Sequence, residues 1–290
     1  MHGFLSIDKP AGITSHDVVA QIRRVARQKR VGHAGTLDPA ATGVLVVALG
    51  AATRLIEYVQ EATAKRYQAV VRLGETTTTE DAEGEVVERR PVPPLDGAAL
   101  EAVLAQFRGS IMQVPPMYSA LHYEGRRLHE LAREGIVVER AARPITIELL
   151  NVLDYSAPLL TLDIICSKGT YIRSLARDIG EALGCGAHLQ ALRRTAVGAF
   201  VIEEAVPLDK LRSGEMPLDS VLLPPALAVA DWPSVTVDAA EERLIRNGLP
   251  IARDELQGER AYAQTADGAL LALLAPADGR WRPTKVFDWS

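Results

Sequence analysis

The run Gly32 to Gly43, GHAGTLDPAATG, sets one carboxylate, Asp38, among three glycines, with Pro39 directly after it and His33 five residues before it. Glycine admits backbone angles that other residues resist and proline locks its own φ, so this composition suits a loop that holds one acid in place. A carboxylate held that way can act as a nucleophile or a general base. Asp before Pro is also a common start for an ordinary turn, and from this run alone both readings stand. A second run, Ser167-Lys168-Gly169-Thr170-Tyr171-Ile172-Arg173, reads as a strand end passing through Gly169 into the start of a helix, where anionic groups are favoured. Arg173 is suited either to neutralising a nucleic-acid phosphate or to pairing with Asp38, whose carboxylate it would then hold ionised. A Tyr-x-Arg taken singly also fits plain helix surface.

Elements of regular structure must position these runs. Phe4 to Asp8 reads as a strand entering a Lys9-Pro10-Ala11-Gly12 turn, and Thr14 with Asp17 forms an acidic variant of a capping box ahead of Val18, Ile22, Val25 and Ala26 at helical spacing. The spacing predicts a helix over 15–28 that delivers a basic end into the Gly32–Gly43 loop. Val44 to Leu49 is a continuous apolar run suited to a buried strand, and Tyr67, Ala69, Val71 and Leu73 alternate with Arg66, Gln68, Val70 and Arg72 as a strand with one apolar face. Further strands are expected near 84–89, 145–153 and 159–166, and helices near 97–107, 170–183 and 187–193. There is no βαβ rhythm, no GxGxxG and no GxxxxGK[ST], so the fold class expected is α+β with a mixed or antiparallel central sheet and flanking helices. Pro224, Pro225 and Pro233 mark a linker. After it come a helix over 239–246 and three strands near 260–264, 270–274 and 282–287, a small β-rich tail. The division expected is therefore 1–223, a linker at 224–232, and 233–290.

At 290 residues the chain can bury one sizeable core beside a smaller module, and 48% hydrophobic with 24% charged residues excludes a disordered composition. No secretory pattern opens the sequence and no apolar run reaches membrane-spanning length, which points to the cytoplasm. Cys166 and Cys185 lie in no CxxC or Cys/His cluster, so neither a disulfide framework nor a zinc site is indicated and both are expected as small buried apolar groups. The net charge of −5 argues against a nonspecific nucleic-acid coat and leaves room for a local basic face. Two runs could supply one: Arg23, Arg24, Arg27, Lys29 and Arg30 with no acid among them, and Arg126, Arg127, Arg133, Arg140 and Arg143 diluted by Glu124, Glu130, Glu134 and Glu139. Either could equally be a solvated helix face.

Read together, the runs form a familiar pattern. The chain resembles the bacterial TruB-type tRNA pseudouridine synthases through Ile7-Asp8-Lys9-Pro10 with Ser15, the GHAGTLDPAATG run, Lys65-Arg66-Tyr67, Met117-Tyr118-Ser119-Ala120-Leu121, Ala142-Arg143-Pro144-Ile145, Cys166 to Arg173, and Cys185-Gly186-Ala187-His188-Leu189 with Leu192-Arg193-Arg194. These seven matches occur in family order over residues 4 to 202. The resemblance implies an enzyme that isomerises uridine 55 in the T loop of tRNA to pseudouridine, with neither cofactor nor metal, working as a monomer without a protein partner. It implies Asp38 as nucleophile, Arg173 as its partner, Tyr67 stacking on the target base, His33 holding flipped-out nucleotides, and Tyr171 and Leu192 lining the uracil pocket. It further implies an RNA-contacting insertion at 113–143 and a PUA-like RNA-binding tail, with phosphates met by Arg23, Arg24, Arg27, Lys29, Arg30, Arg126, Arg127 and Arg143.

The physical demands agree. A base inside a folded RNA loop must leave its stack to be reached, and an aromatic face with apolar walls can receive it. Exchanging an N-glycoside for a C-glycoside needs a carboxylate, room for the uracil to turn and removal of the C5 proton. Tyr67 is a candidate for that removal, although its ordinary pKa near 10 favours stacking. Three rivals share features of the sequence: a guide-RNA-dependent relative, a tRNA chaperone needing no Asp38, and a glycoside hydrolase, which would need a second catalytic carboxylate.

Overall fold

The computed structural model describes residues 1–62, 64–119 and 121–289, so Ala120 of the Met117–Leu121 run lies outside the described residues. Its frame is a mixed sheet of ten strands. Eight of them run in the order Val206–Pro207, Gly3–Lys9, Thr42–Leu49, Ala187–Val197, Lys65–Leu73, Leu159–Cys166, Arg143–Ser156 and Gly109–Gln113. Most neighbours are antiparallel; Val206–Pro207 beside Gly3–Lys9 and Ala187–Val197 beside Thr42–Leu49 are parallel. The α+β class is as expected.

The Thr42–Leu49 strand shows why its sequence is apolar throughout. Val44, Val46 and Ala48 face one core with Phe4 and Phe200, while Leu45, Val47 and Leu49 face another with Val18, Val19 and Ile22 of the Ser15–Val25 helix. A strand covered on both sides loses the alternation that marks a half-exposed one. Lys65–Leu73 keeps that alternation, with Tyr67, Ala69, Val71 and Leu73 buried against the Ile172–Ala182 helix.

Two expectations are corrected. The segment 187–193 is no helix but the start of the Ala187–Val197 strand, bonded to Lys65–Leu73 on one side and Thr42–Leu49 on the other. Ala, Leu, Gln and Arg favour helices locally, yet a central place in the sheet overrides propensity, and register shifts at Leu189/Ala191 and Arg194/Ala196 erase the alternation. The first helix stops at Val25 rather than 28, because Arg27 enters the left-handed region at φ 49° and Gln28 N–H turns back to Arg23 O at 3.2 Å. Its Thr14–Asp17 capping box is present. The proline-rich 222–233 segment read as a linker is packed: it contains a 3₁₀ turn at Pro225–Val229 whose Ala228 and Val229 are buried, and Leu223 exchanges two backbone hydrogen bonds with Phe4.

The tail folds as a four-stranded sheet, Ser234–Thr236, Ala261–Gln264, Leu270–Ala277 and Arg280–Val286, with the Ala239–Arg246 helix beside it. Leu270, Leu273 and Phe287 leave its own core and join the cluster of Phe4 and Phe200. Arg54 donates to Val286 O at 2.8 Å and Lys285 pairs with Glu57 across the same junction.

Candidate active site

Asp38 sits on a turn held from beneath by buried cations. The Gly32–Gly43 run is loop only in part, since Val31–Ala34 is a strand paired with Thr42–Leu49; the turn proper spans 35–41. Lys9, fully buried, donates to Pro39 O at 3.1 Å, Ala41 O at 2.8 Å and Pro10 O at 2.9 Å. Burial pushes its ammonium below the usual lysine value, an effect opposed by the charge of Asp38. The Ser15 hydroxyl accepts from Leu37 N at 2.9 Å and donates to Leu37 O at 3.1 Å. Arg194, 1% exposed, spreads its guanidinium over Val44 O at 2.7 Å, Gly35 O at 3.1 Å and Thr36 O at 3.4 Å. A Cβ on Gly43 would lie 2.1 Å from Arg194 O, so only glycine lets these strands meet.

Above this base the Asp38 side chain is 44% exposed, and Arg173 Nε stands 3.2 Å from its Oδ2. The guanidinium is not given to Asp38 alone. Its Nη1 faces Asp81 Oδ2 at 3.5 Å and donates to Thr79 O at 3.3 Å, while Nη2 donates to Tyr118 O at 2.8 Å. Arg173 is 7% exposed, so its plane is set by four partners before any substrate arrives. Asp81 is held in turn by the Thr79 hydroxyl and by Glu83 N at 3.1 Å.

Tyr67 lies beside Arg194 in sheet register and is buried. Burial pushes its phenol above the usual tyrosine value, with the charge of Asp38 adding to the rise and a hydrogen bond from Arg194 opposing it. The phenol is therefore protonated at neutral pH. Tyr171 is half-buried at the mouth of the Ile172–Ala182 helix; burial raises its phenol too, and a hydrogen bond with Ser119 opposes that. The Gln113 amide fixes the Tyr171 backbone from both sides, accepting from N at 2.9 Å and donating to O at 3.1 Å. Leu192, opposite Ala69 in the sheet, packs against both cores that flank the central strands. His33 is half-buried with His16 edge-on at a ring distance of 5.3 Å, and its pKa is lowered by burial first and by the neighbouring His16 and Arg194 charges next.

The basic runs divide by how they are used. Arg23, Arg24, Arg27, Lys29 and Arg30 are all exposed, but Arg23 donates to Val31 O at 2.9 Å and Arg30 to Thr53 Oγ1 at 2.8 Å. Arg23, Arg24, Arg27 and Lys29 line one shallow depression of about 550 Å³. In the insertion Arg126 pairs with Glu134 at 2.5 Å and Arg140 donates to Pro115 O at 3.1 Å, while Arg127 and Arg143 stand exposed. Both cysteines are buried and free, with Cys166 pushed up to about 11 by burial. Among the described residues no group of three His, Cys, Asp or Glu side chains could hold a metal ion, and no helix is long and apolar enough to cross a membrane.

Sequence reasoning missed Asp81, Lys9 as a loop support, and the interior role of Arg194. Lys9 and Arg194 stand in the recognised runs; Asp81, in a polar Thr-rich stretch, carries no signal beyond its charge.

Comparison with known proteins adds independent findings. The TruB family pseudouridylate synthase N-terminal domain matches residues 23–172, the tRNA pseudouridylate synthase B C-terminal domain matches 173–230, and the tRNA pseudouridine synthase II C-terminal domain matches 232–288. A tRNA pseudouridine synthase B of Dehalococcoides mccartyi is 44% identical, covering 99% of this chain and 97% of the relative. One of Syntrophomonas wolfei is 47% identical over 94% of this chain and 93% of its own. Among solved structures, an H/ACA ribonucleoprotein bound to a substrate RNA containing 2′-deoxyuridine matches with a TM-score of 0.74 at 26% identity, over 99% of this chain and 85% of the matched one. The chain belongs to the TruB family of pseudouridylate synthases.

Proposed function

We propose that this protein isomerises uridine 55 in the T loop of tRNA to pseudouridine, with Asp38 as the nucleophile. The observation that carries the reading is a half-exposed carboxylate on a turn braced by Lys9, Ser15 and Arg194, paired with a buried arginine whose two terminal nitrogens are tied to Asp81, Thr79 O and Tyr118 O. Such an acid can meet a flipped-out nucleotide with no rearrangement of its support. The reaction breaks the C1′–N1 bond, turns the uracil and joins C1′ to C5; N1 gains a proton and C5 loses one, so no atom is gained or lost overall. Asp38 supplies the nucleophile, Arg173 keeps its charge oriented, Tyr67 stacks on the base, and Tyr171 and Leu192 wall the space in which it turns. His33 supports the nucleotides displaced with it. Tyr67, a protonated phenol in a buried setting, fits stacking better than proton removal.

The exposed Arg24, Arg27 and Lys29, with Arg23 and Arg30 beside them, meet RNA phosphates, as do Arg126, Arg127 and Arg143 of the 113–143 insertion. The 233–290 tail adds RNA-binding surface beyond the 224–232 connection. The enzyme acts as a single chain in the cytoplasm. A tRNA chaperone would use the same surfaces and have no need of Asp38 or Arg173.

Incubation with an unmodified tRNA transcript, without cofactor, and chemical mapping of pseudouridine tests this. Position 55 is converted by the wild type; Asp38→Asn binds the transcript equally well and converts it at least about 10³-fold more slowly. Uridine persisting at 55 with the wild type, or equal conversion by Asp38→Asn, defeats the proposal.

A further inference from the structure

Glu80 precedes Asp81 and holds a backbone that glutamate rarely adopts, left-handed at φ 63°. Such a conformation persists only where the surroundings over-determine it. Here they do so twice. Leu189 N–H donates to Glu80 O at 3.0 Å, fastening the backbone to the central strand at its register shift. The Glu80 side chain, 15% exposed, accepts from the Ser174 hydroxyl at 2.9 Å and pairs with Arg177. The direction in which Asp81 leaves this fixed point decides whether its carboxylate faces Arg173.

Arg177 lies one helical turn beyond Arg173, and each sends one donor into the root of the 113–143 insertion. Arg177 Nη2 donates to Val114 O at 3.2 Å and Arg173 Nη2 to Tyr118 O at 2.8 Å. Between that root and the Thr76–Glu80 segment lies a cavity of about 380 Å³. On this side of the root, whose Pro115 and Pro116 are buried, polar ties from Arg173 and Arg177 reach across an open space to help hold its position. Residues placed on adjacent turns of a rigid helix move as one body, so a shift of the root felt at Arg177 is felt at Arg173.

We propose that Glu80 and Arg177 are positioning residues: a latch that joins the root of the insertion to the Asp81–Arg173–Asp38 array and holds that array, already assembled, in register with RNA seated under the insertion. The latch rests on the isomerase reading above. It touches no substrate and acts through Asp81 and Arg173.

The test compares the full-length wild type with Glu80→Gln, Glu80→Gly, Arg177→Met, Arg177→Lys and the Glu80→Gln/Arg177→Met double variant. Glu80→Gly tolerates the left-handed backbone without strain and removes the whole side chain, whereas Glu80→Gln keeps its length and removes only the charge. Single-turnover conversion of the transcript, its binding affinity and the thermal midpoint are measured for each, well below every midpoint. Glu80→Gln, Glu80→Gly and Arg177→Met each slow conversion about tenfold, and the double variant is no slower than the slower single, as coupled partners require. Affinity stays within about threefold, and Arg177→Lys recovers most of the rate. Full-rate conversion by the single variants, losses that multiply in the double, or losses that follow thermal midpoint or affinity overturn the latch alone. No conversion by the wild type overturns the isomerase reading and the latch with it.

Discussion

Around Asp38, Lys9 and Arg194 direct their donors at backbone carbonyls inside the protein, at 0% and 1% exposure, whereas Arg24, Arg27 and Lys29 stand in solvent on the basic face. Both regions are rich in cations and they do opposite work. A buried cation cannot shed its charge into water, so it must find oxygen, and at this turn the oxygens available are those of the segment that carries Asp38. Arg24, Arg27 and Lys29, exposed at the surface, stay available as counterions for phosphate. Charge inside gives precision and charge outside gives grip, and the net charge of −5 reports on neither.

The comparison breaks first at Lys9. Lys9→Met takes the ammonium from Ala41 O and leaves Pro39 O with the Gly12 N–H alone, at a cost of about 3 kcal/mol in urea unfolding; a loss under about 1 kcal/mol would place the support of the turn elsewhere. At the surface the expectation reverses. Arg24→Gln, Arg27→Gln and Lys29→Gln leave the unfolding midpoint unmoved, and each removed phosphate contact lowers the slope of log affinity against log salt by about 0.9. A slope that stays put would show that the depression these residues line is bare surface.

The smallest effect is at His33. Burial lowers its folded-state pKa below the ordinary 6.5, so the unfolded chain binds its proton more readily and the linked stability is present above that value and lost as pH falls below it. Thermal midpoints followed downward from pH 7 should drop less steeply for His33→Gln than for the wild type. Parallel curves would mean that the imidazole is not what the fold has to keep neutral.

Much of this was legible in the sequence because the residues carried their geometry with them. Thr14 and Asp17 announce a helix start that needs no tertiary partner, and the alternation from Tyr67 to Leu73 survives because one face is covered. For Asp38 and Arg173, distant in the chain, charge alone leaves the pairing and a phosphate role for Arg173 both open, and only the family pattern selects the pairing; their 3.2 Å approach is a product of the sheet. What stayed hidden depends on contacts across long separations. Arg173 shares its guanidinium with Asp81, a residue whose local sequence looks like any polar turn. The 187–197 segment carries the local preferences of a helix and becomes a strand because two neighbours hydrogen-bond it from either side.

The position of Phe4 has a consequence for how the molecule is made. Phe4 lies in the Gly3–Lys9 strand, yet its ring packs on Phe200 at 5.5 Å in a cluster completed by Phe287, far along the chain. Its strand is also bordered by Val206–Pro207. An emerging chain therefore keeps this apolar edge uncovered until Phe200, Val206 and finally Phe287 have been made, when association with other exposed surfaces is most dangerous. The small terminal sheet then acts as a closing lid on the core, and a chain cut just before it would carry an open seam.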